Sequence, residues 1–319
     1  MKKLKRILFV SQGLKLEEQA LFDWTLRLAQ QHKSQVDIIR VIPELGAGLS
    51  YALESISPAK IQAEQDREAE QALHELYIQA KQQSLHAHTQ LLRGKGFYRA
   101  IQYVLQHEAD LVVKIAQPVS KGLADKMFVS DDMHLLRKCP APVLLHKQGH
   151  PLPFKRVMAS LDLDLEQQEK HPNAINQNIL AWADNLSRVE DPIYAAHAWQ
   201  SETEELVRHW HTELSEVDLV RLVERERHLH HEVMEKELAE LRKTERSIHV
   251  LFPKGEPEYA IPMVAERNEV DLIVMGTLGR VGLPGLVIGN TAENILEQVQ
   301  CSVLAIKPQG FKTPVDVEA

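Results

Sequence analysis

With 319 residues, 44% of them hydrophobic and 5% aromatic, the chain is long enough for two domains of ordinary size and has the apolar content to give each a core. A net charge of −8 and a pI near 6.1 leave no overall basic surface to neutralise a phosphate backbone, which argues against nucleic acid as a main partner. No stretch approaches the ~20 apolar residues of a membrane span, and two cysteines, Cys139 and Cys301, are too few for a disulfide framework, so the composition points to a reducing cytoplasm.

The start, MKKLKRILFVSQG, is basic and signal-like, but its apolar run covers only residues 7–10 and no cleavage site follows. RILFV (6–10) reads instead as a short buried strand. Residues 16–31 carry helical spacing in Leu21, Trp24 and Leu28, and QVDIIRVI (35–42) is a second strand. After a connector containing Gly46 and Gly48, Pro58 opens a helix with Ala69, Leu73, Leu76 and Ala80 on one face. HAHTQLL (86–92) reads as strand, 97–107 as helix, DLVVKIA (110–116) as strand, 133–137 as the end of a short helix, and APVLLHK (141–147) as a fifth strand.

The second half does the same again. KRVMASLD (155–162) is the strand, 174–186 the helix, PIYAAHAW (192–199) the strand, and 203–246 one long helical segment. IHVLFPKG (248–255), a helix over 257–268, DLIVM (271–275) and SVLAIKP (302–308) complete it. Subtracting 110 from 271 gives a period of 161, at which ADLVVK lies over VDLIVM and Gly94 over Gly255. The chain therefore reads as two copies of one domain, 1–148 and 154–319, joined by the Gly- and Pro-containing KQGHPLP (147–153).

Alternating β and α runs with unalternating apolar strands predict a parallel sheet covered by helices on both faces. Ligands of such sheets sit beyond the carboxyl ends of the strands where the winding reverses. In the second copy these ends are Asp162, the region of His197 and Ala198, and Gly276. Asp162 suits a hydrogen bond to an adenine or ribose edge, and equally a plain helix-entry cap.

The stretch DLIVMGTLGRVGLPGLVIGNT (271–291) is a strand, a glycine-rich loop and a helix start. Glycines let the backbone approach an anion and adopt positive φ, and the first N–H groups of a helix point at negative charge. Phosphate is the natural ligand. Arg280 adds a cationic fork, and Asn290 and Thr291 offer side-chain hydrogen bonds or a helix cap. The plainer reading is a βα loop that needs glycines only to turn.

The spacing Gly276-x2-Gly279-x9-Gly289-Asn290, preceded by DLIVM and followed by AENIL and CSVLAIKP, resembles the nucleotide-binding signature of the universal stress proteins. The resemblance implies that the phosphates and ribose of ATP meet Gly276, Gly279, Gly289 and Asn290, with Asn290 standing where the family carries Ser or Thr. Copy one departs from the pattern. Gln12 stands in the place of Asp162, and Ile115, Pro118 and, with a one-residue deletion, Val129 take the three glycine places. Side chains then fill the phosphate space, and Pro118 removes a donor.

With HLLRKCPAPVLLHK (134–147) and the tail IKPQGFKTPVDVEA (306–319), the whole chain is similar to the tandem universal stress proteins of the E class. The similarity implies an α/β fold of two tandem doubly wound parallel-sheet domains, adenine nucleotide alpha hydrolase-like, the first degenerate and the second with its glycine motif retained. It implies a cytoplasmic, non-enzymatic stress-response module taking ATP or a related nucleotide in the C-terminal domain only, with no metal. A small-molecule ligand, an unidentified protein partner and a pseudo-dimeric monomer go with that reading, a homodimer being the alternative. Two other classes stay open: a slow ATPase, and a carrier of an amphipathic ligand with a phosphate or nucleotide head.

Other constellations carry less. His228 and Glu232, and His231 and Glu235, are each four apart on a helix, the spacing of a shared ligand but more commonly of a solvated face. Apolar residues flank them, Leu219, Leu222 and Val223 before and Met234, Leu238 and Leu241 after, which predicts a longer core stripe or a lip over a pocket. The cysteines, each before a final strand, read as buried structural thiols. No HExxH, CxxC or GxxxxGK[ST] pattern occurs.

Overall fold

A computed structural model of the chain describes residues 3–13, 16–44, 58–117, 130–163, 165, 173–210, 215–278 and 288–316. The first half runs β1 (Arg6–Ser11), α1 (Leu16–His32), β2 (Gln35–Ile42), α2 (Pro58–Gln82), β3 (Ala87–Arg93), α3 (Gly96–His107), β4 (Leu111–Ile115), α4 (Ser130–Lys138) and β5 (Val143–His146). The second runs β6 (Val157–Ser160), α5 (Ala174–Leu186), β7 (Ile193–Ala196), α6 (Glu202–Trp210), α7 (Glu216–Arg242), β8 (Ile248–Leu251), α8 (Pro257–Arg267), β9 (Leu272–Gly276), α9 (Asn290–Gln298) and β10 (Ser302–Ile306).

The strands form one sheet in the order β3-β2-β1-β4-β5-β10-β9-β6-β7-β8. Every neighbouring pair is parallel except β5 and β10, which are antiparallel and join the halves. Leu144 lies opposite Leu304, with Val143 opposite Ala305 and Leu145 opposite Val303. That register is a local two-fold centred on the leucine pair, so each half meets the other with the same strand.

Helices on both faces explain the unalternating strands. Ile7 and Phe9 of β1 enter one core layer and Leu8 and Val10 the other. The first layer holds Leu21, Trp24, Leu76, Trp182, Met234 and Leu238, from α1, α2, α5 and α7; the second holds Ile101, Leu136, Ile261 and Leu296, from α3, α4, α8 and α9. Both layers run through both halves. Phe154, fully buried after the linker, puts its ring 5.5 Å from that of Trp24, and Val315 of the C-terminal tail is buried in the second layer. Gln102 of α3 donates to the carbonyl of Asp316 at 3.2 Å, so the tail of the second half ends on the first.

Gly94 and Gly255, paired by the sequence period, have φ of +124° and +137°. Each donates its N–H to a neighbouring strand's end, Gly94 to Ile42 O at 3.0 Å and Gly255 to Trp199 O at 2.9 Å. That conformation favours glycine and recurs at one place in both copies.

The segment expected as one helix over 203–246 is two. Ser215 accepts from the amide of Asp218 at 3.1 Å and caps a new helix, with Glu216 and Asp218 in its first turn. The cap lies within a continuing apolar period, which hid the break. Nor is the apolar stripe before its polar middle core: Leu222 is exposed and Leu219 and Val223 only half-buried, while Val233, Met234, Leu238 and Leu241 are buried. Gly46, Gly48, Pro118 and Val129 lie outside the described residues. Among the described residues no helix is long and apolar enough to cross a membrane.

Candidate functional site

The chain leaves β6 toward β7 on one side and β9 lies on the other, so the winding reverses between β6 and β9. Beyond their carboxyl ends lies a cavity of about 1400 Å³. Asp162, Ala198, Gly276, Gly289, Asn290 and Thr291 all line it, brought there from the ends of β6, β7 and β9 and the start of α9. Gly279 and Arg280 lie outside the described residues.

The backbone of Asp162 is fixed by Asn176, which is fully buried on α5. Asp162 N donates to Asn176 Oδ1 at 3.1 Å, and Asn176 Nδ2 donates back to Asp162 O at 2.9 Å. The residue itself is exposed on the cavity side of that clamp. A Cβ on Gly276 would stand 3.4 Å from Ile175 Cγ1, in ordinary contact. Gly289 has φ −79° and ψ 146°, extended backbone open to any residue, and it is the N-cap of α9 with no side-chain cap bond. The cap expected of Asn290 and Thr291 is thus absent, because both already lie inside the helix. The amide of Gly289 donates to Thr277 O at 2.8 Å, so the donors left to a ligand begin with Asn290.

Part of the lining is apolar, with Ile175, Ile179, Trp182 and Val233 from α5 and α7. Glu237 of α7, buried, accepts from Asn173 N and from Gln177 Nε2, both at 2.7 Å, and so fastens α7 to the start of α5. The first half contributes Pro140 and Pro142 to the wall. Its Arg137 also pairs with Glu293 in the first turn of α9, offsetting a carboxylate beside the helix start.

Sequence reasoning placed His197 at a strand end without its partner His230, and it missed Lys307 of the wall. His197 is buried; its Nδ1 lies 3.1 Å from Leu161 O and its Nε2 3.3 Å from Nδ1 of His230 on α7. A carbonyl only accepts, so Nδ1 of His197 carries hydrogen and, in the neutral pair, Nε2 accepts from His230. The singled-out His228 and Glu232 are exposed, and Glu235 binds Arg242 at 2.6 Å, as a solvated face does. His230 lies three residues before Val233, on the buried stripe, and that spacing was the available signal. Lys307, directly after β10, is 7% exposed; Nζ donates to Thr277 Oγ1 and lies 5.0 Å from the centre of the Phe311 ring. Burial pulls its pKa down to about 7.

The matching crevice of the first half is occupied by its own side chains. Gln12 Nε2 donates to Ile115 O at 2.8 Å, bridging β1 and β4. Asp132, fully buried in the first turn of α4, pairs with Lys114 at 2.6 Å and accepts from Gln117 N at 2.8 Å. Aligning Leu135–Leu136 with Ile295–Leu296 sets Asp132 over Ala292, so a carboxylate occupies the helix start that the second half leaves to its cavity. Cys139 and Cys301 are free and buried, their pKa values pushed up to about 12 by burial, which makes them inert thiols. Among the described residues no cluster of three or more His, Cys, Asp or Glu groups could hold a metal ion.

The profile of the Universal stress protein family matches residues 3–147 and again 173–307. Universal stress protein E of Salmonella typhi is 32% identical over 230 residues, 70% of this chain and 69% of its own length. A crystal structure of a functionally unknown protein from Pseudomonas aeruginosa PAO1 has a TM-score of 0.69 at 21% identity, covering 96% of this chain and 93% of that one. A putative universal stress protein from Pseudomonas aeruginosa UCBPP-PA14 has a TM-score of 0.67 at 21% identity over 96% and 94% of the two chains. Two tandem α/β units, each matched by the family profile and joined into one mostly parallel sheet, place the chain in the universal stress protein family.

Proposed function

We propose that the protein is a stress-response module that binds ATP or a related adenine nucleotide in the cavity of its second half alone, and acts through occupancy rather than turnover. The observation that carries this is the convergence of Asp162, Ala198, Gly276, Gly289, Asn290 and Thr291 on one cavity, against a first-half crevice filled by Gln12, Lys114 and Asp132. In this reading Asp162 and Ala198 receive the nucleoside. Phosphate meets the first amides of α9 and the loop that includes Gly279 and Arg280. The absence of a P-loop lysine motif from the sequence supports binding without hydrolysis. Two buried free thiols support residence in the reducing cytoplasm. The β5–β10 seam supports a monomer that stands in for a dimer of single domains, with any protein partner recruited by the occupied state.

One observation favours a second reading. The cavity, about 1400 Å³, exceeds the ~300–1,000 Å³ of an ordinary small-molecule pocket, and Ile175, Ile179, Trp182 and Val233 give it apolar lining. A carrier of an amphipathic ligand with a phosphate or nucleotide head suits that size and lining. Mass spectrometry of what a freshly purified sample releases on denaturation separates the two: an adenine nucleotide is expected, and an acylated or prenylated phosphate would transfer the site to the carrier reading. The same sample should not turn over ATP; sustained hydrolysis abolished by Asp162→Ala would make the protein an enzyme.

A further inference from the structure

Lys307 is a cation built into the wall of the cavity rather than placed on its rim. The residue is 7% exposed, and its ammonium is anchored by Thr277. Thr277 is the hinge of the site: its amide donates to Ile306 O at 3.1 Å, its carbonyl accepts from Gly289 N at 2.8 Å, and its hydroxyl accepts from Lys307 Nζ. One residue thereby ties the end of β9, the N-cap of α9 and the ammonium of Lys307 together. The aromatic face of Phe311, also a wall residue, covers the ammonium from the tail side.

We propose that Lys307 is the charged anchor for the anionic group of the ligand, and that anion binding in this cavity is coupled to uptake of a proton by Lys307. This rests on the reading that the cavity is the ligand site. Desolvation pulls the Lys307 pKa down to about 7, so burial works against its charged form. An anion arriving beside it favours the charged form, so the proton is taken from solvent and the pKa rises on binding. Among the described wall residues the other charged ones are Asp162, Lys236 and Glu237, with His197 the further titratable group, and Glu237 is engaged by α5. From the first half Cys139 bears on Lys307, but its thiol, pushed up to about 12, stays neutral through the range concerned.

The pseudo-symmetry supplies a control. Lys147 follows β5 as Lys307 follows β10, and Cys301 bears on it as Cys139 bears on Lys307, yet it is not part of the cavity wall. We would measure binding of ATP and of glycerol 3-phosphate by calorimetry from about pH 7.5 to 9.5, where phosphate groups with a second pKa near 6 are fully ionised. Wild type and Lys147→Met should lose about tenfold in affinity per pH unit over part of that range, and Lys307→Met or Lys307→Gln should be weak and flat. A pH dependence retained in both Lys307 variants overturns the proposal while leaving the nucleotide reading intact. Glycerol 3-phosphate bound with the Lys307-dependent slope, and ATP not bound, supports the lysine and rejects the nucleotide. Neither anion bound at any pH rejects both.

Discussion

Glu18 and Asn176 hold the same place in the two halves, as the alignment of Trp24 with Trp182 requires, and each accepts from the amide just beyond the first strand. Gln12 N reaches Glu18 Oε1 at 2.5 Å; Asp162 N reaches Asn176 Oδ1 at 3.1 Å. The neutral amide satisfies itself by donating back. Glu18 cannot donate when ionised, and it is 1% exposed, with Oε2 and the nearby Ser11 hydroxyl both lacking a hydrogen bond of normal geometry. Burial raises the Glu18 pKa, against partial relief from the Gln12 amide, Ser11 and Arg40. A raised folded value means that the folded chain binds more protons than the unfolded one just above the ordinary carboxylate range. Stability is therefore fully present below the unfolded pKa and is lost as pH rises through the folded one. Glu18→Gln keeps the acceptor and gains a donor, so thermal unfolding should show it more stable than wild type by about 1 kcal/mol at neutral pH, with the gain vanishing near pH 4. A gain independent of pH would remove the carboxyl as its cause.

Helix α7 divides into an anchored half and a projecting half. Met234 and Leu238 are fully buried, whereas Val217 and Val220 are 59% and 62% exposed. Leu238→Ala should cost about 2–5 kcal/mol in urea unfolding and Val220→Ser less than about 0.5 kcal/mol. Equal costs would mean that the projecting half is packed in solution. The same helix shows what sequence periodicity carries and what it does not. The strand at 35–42 and the helix at 174–186 were legible residue for residue, because apolar runs buried on both faces, and one-faced helical stripes, are local patterns. The break at Ser215 was not, because a cap costs the apolar period nothing. Nor were the partners of His230 and Lys307: periodicity says which residues share a face, while His197 and Thr277 reach them across the fold. The described glycines of the motif line the cavity, but the positive φ expected there is not found at Gly289, whose backbone is extended and whose amide donates to Thr277 O.

In the whole molecule the two halves are one sheet, and the first half forms part of the wall of the second half's cavity. It supplies Pro140 and Pro142 to the wall and Arg137 to Glu293, and it receives the tail that carries Lys307 and Phe311 past the cavity. Its own crevice, with Asp132 over the place of Ala292, holds a carboxylate where a ligand's anion would go. We propose one ligand site per chain, in the second half, kept open by the absent side chain at Gly289. Calorimetric titration of ATP into wild type, Gly289→Val and Gln12→Ala tests it most directly; the extended backbone at Gly289 accepts valine without strain. Wild type and Gln12→Ala should each bind one equivalent, and Gly289→Val should bind at least about tenfold more weakly. Two equivalents per chain, or a Gly289→Val protein that binds as wild type does, would contradict it.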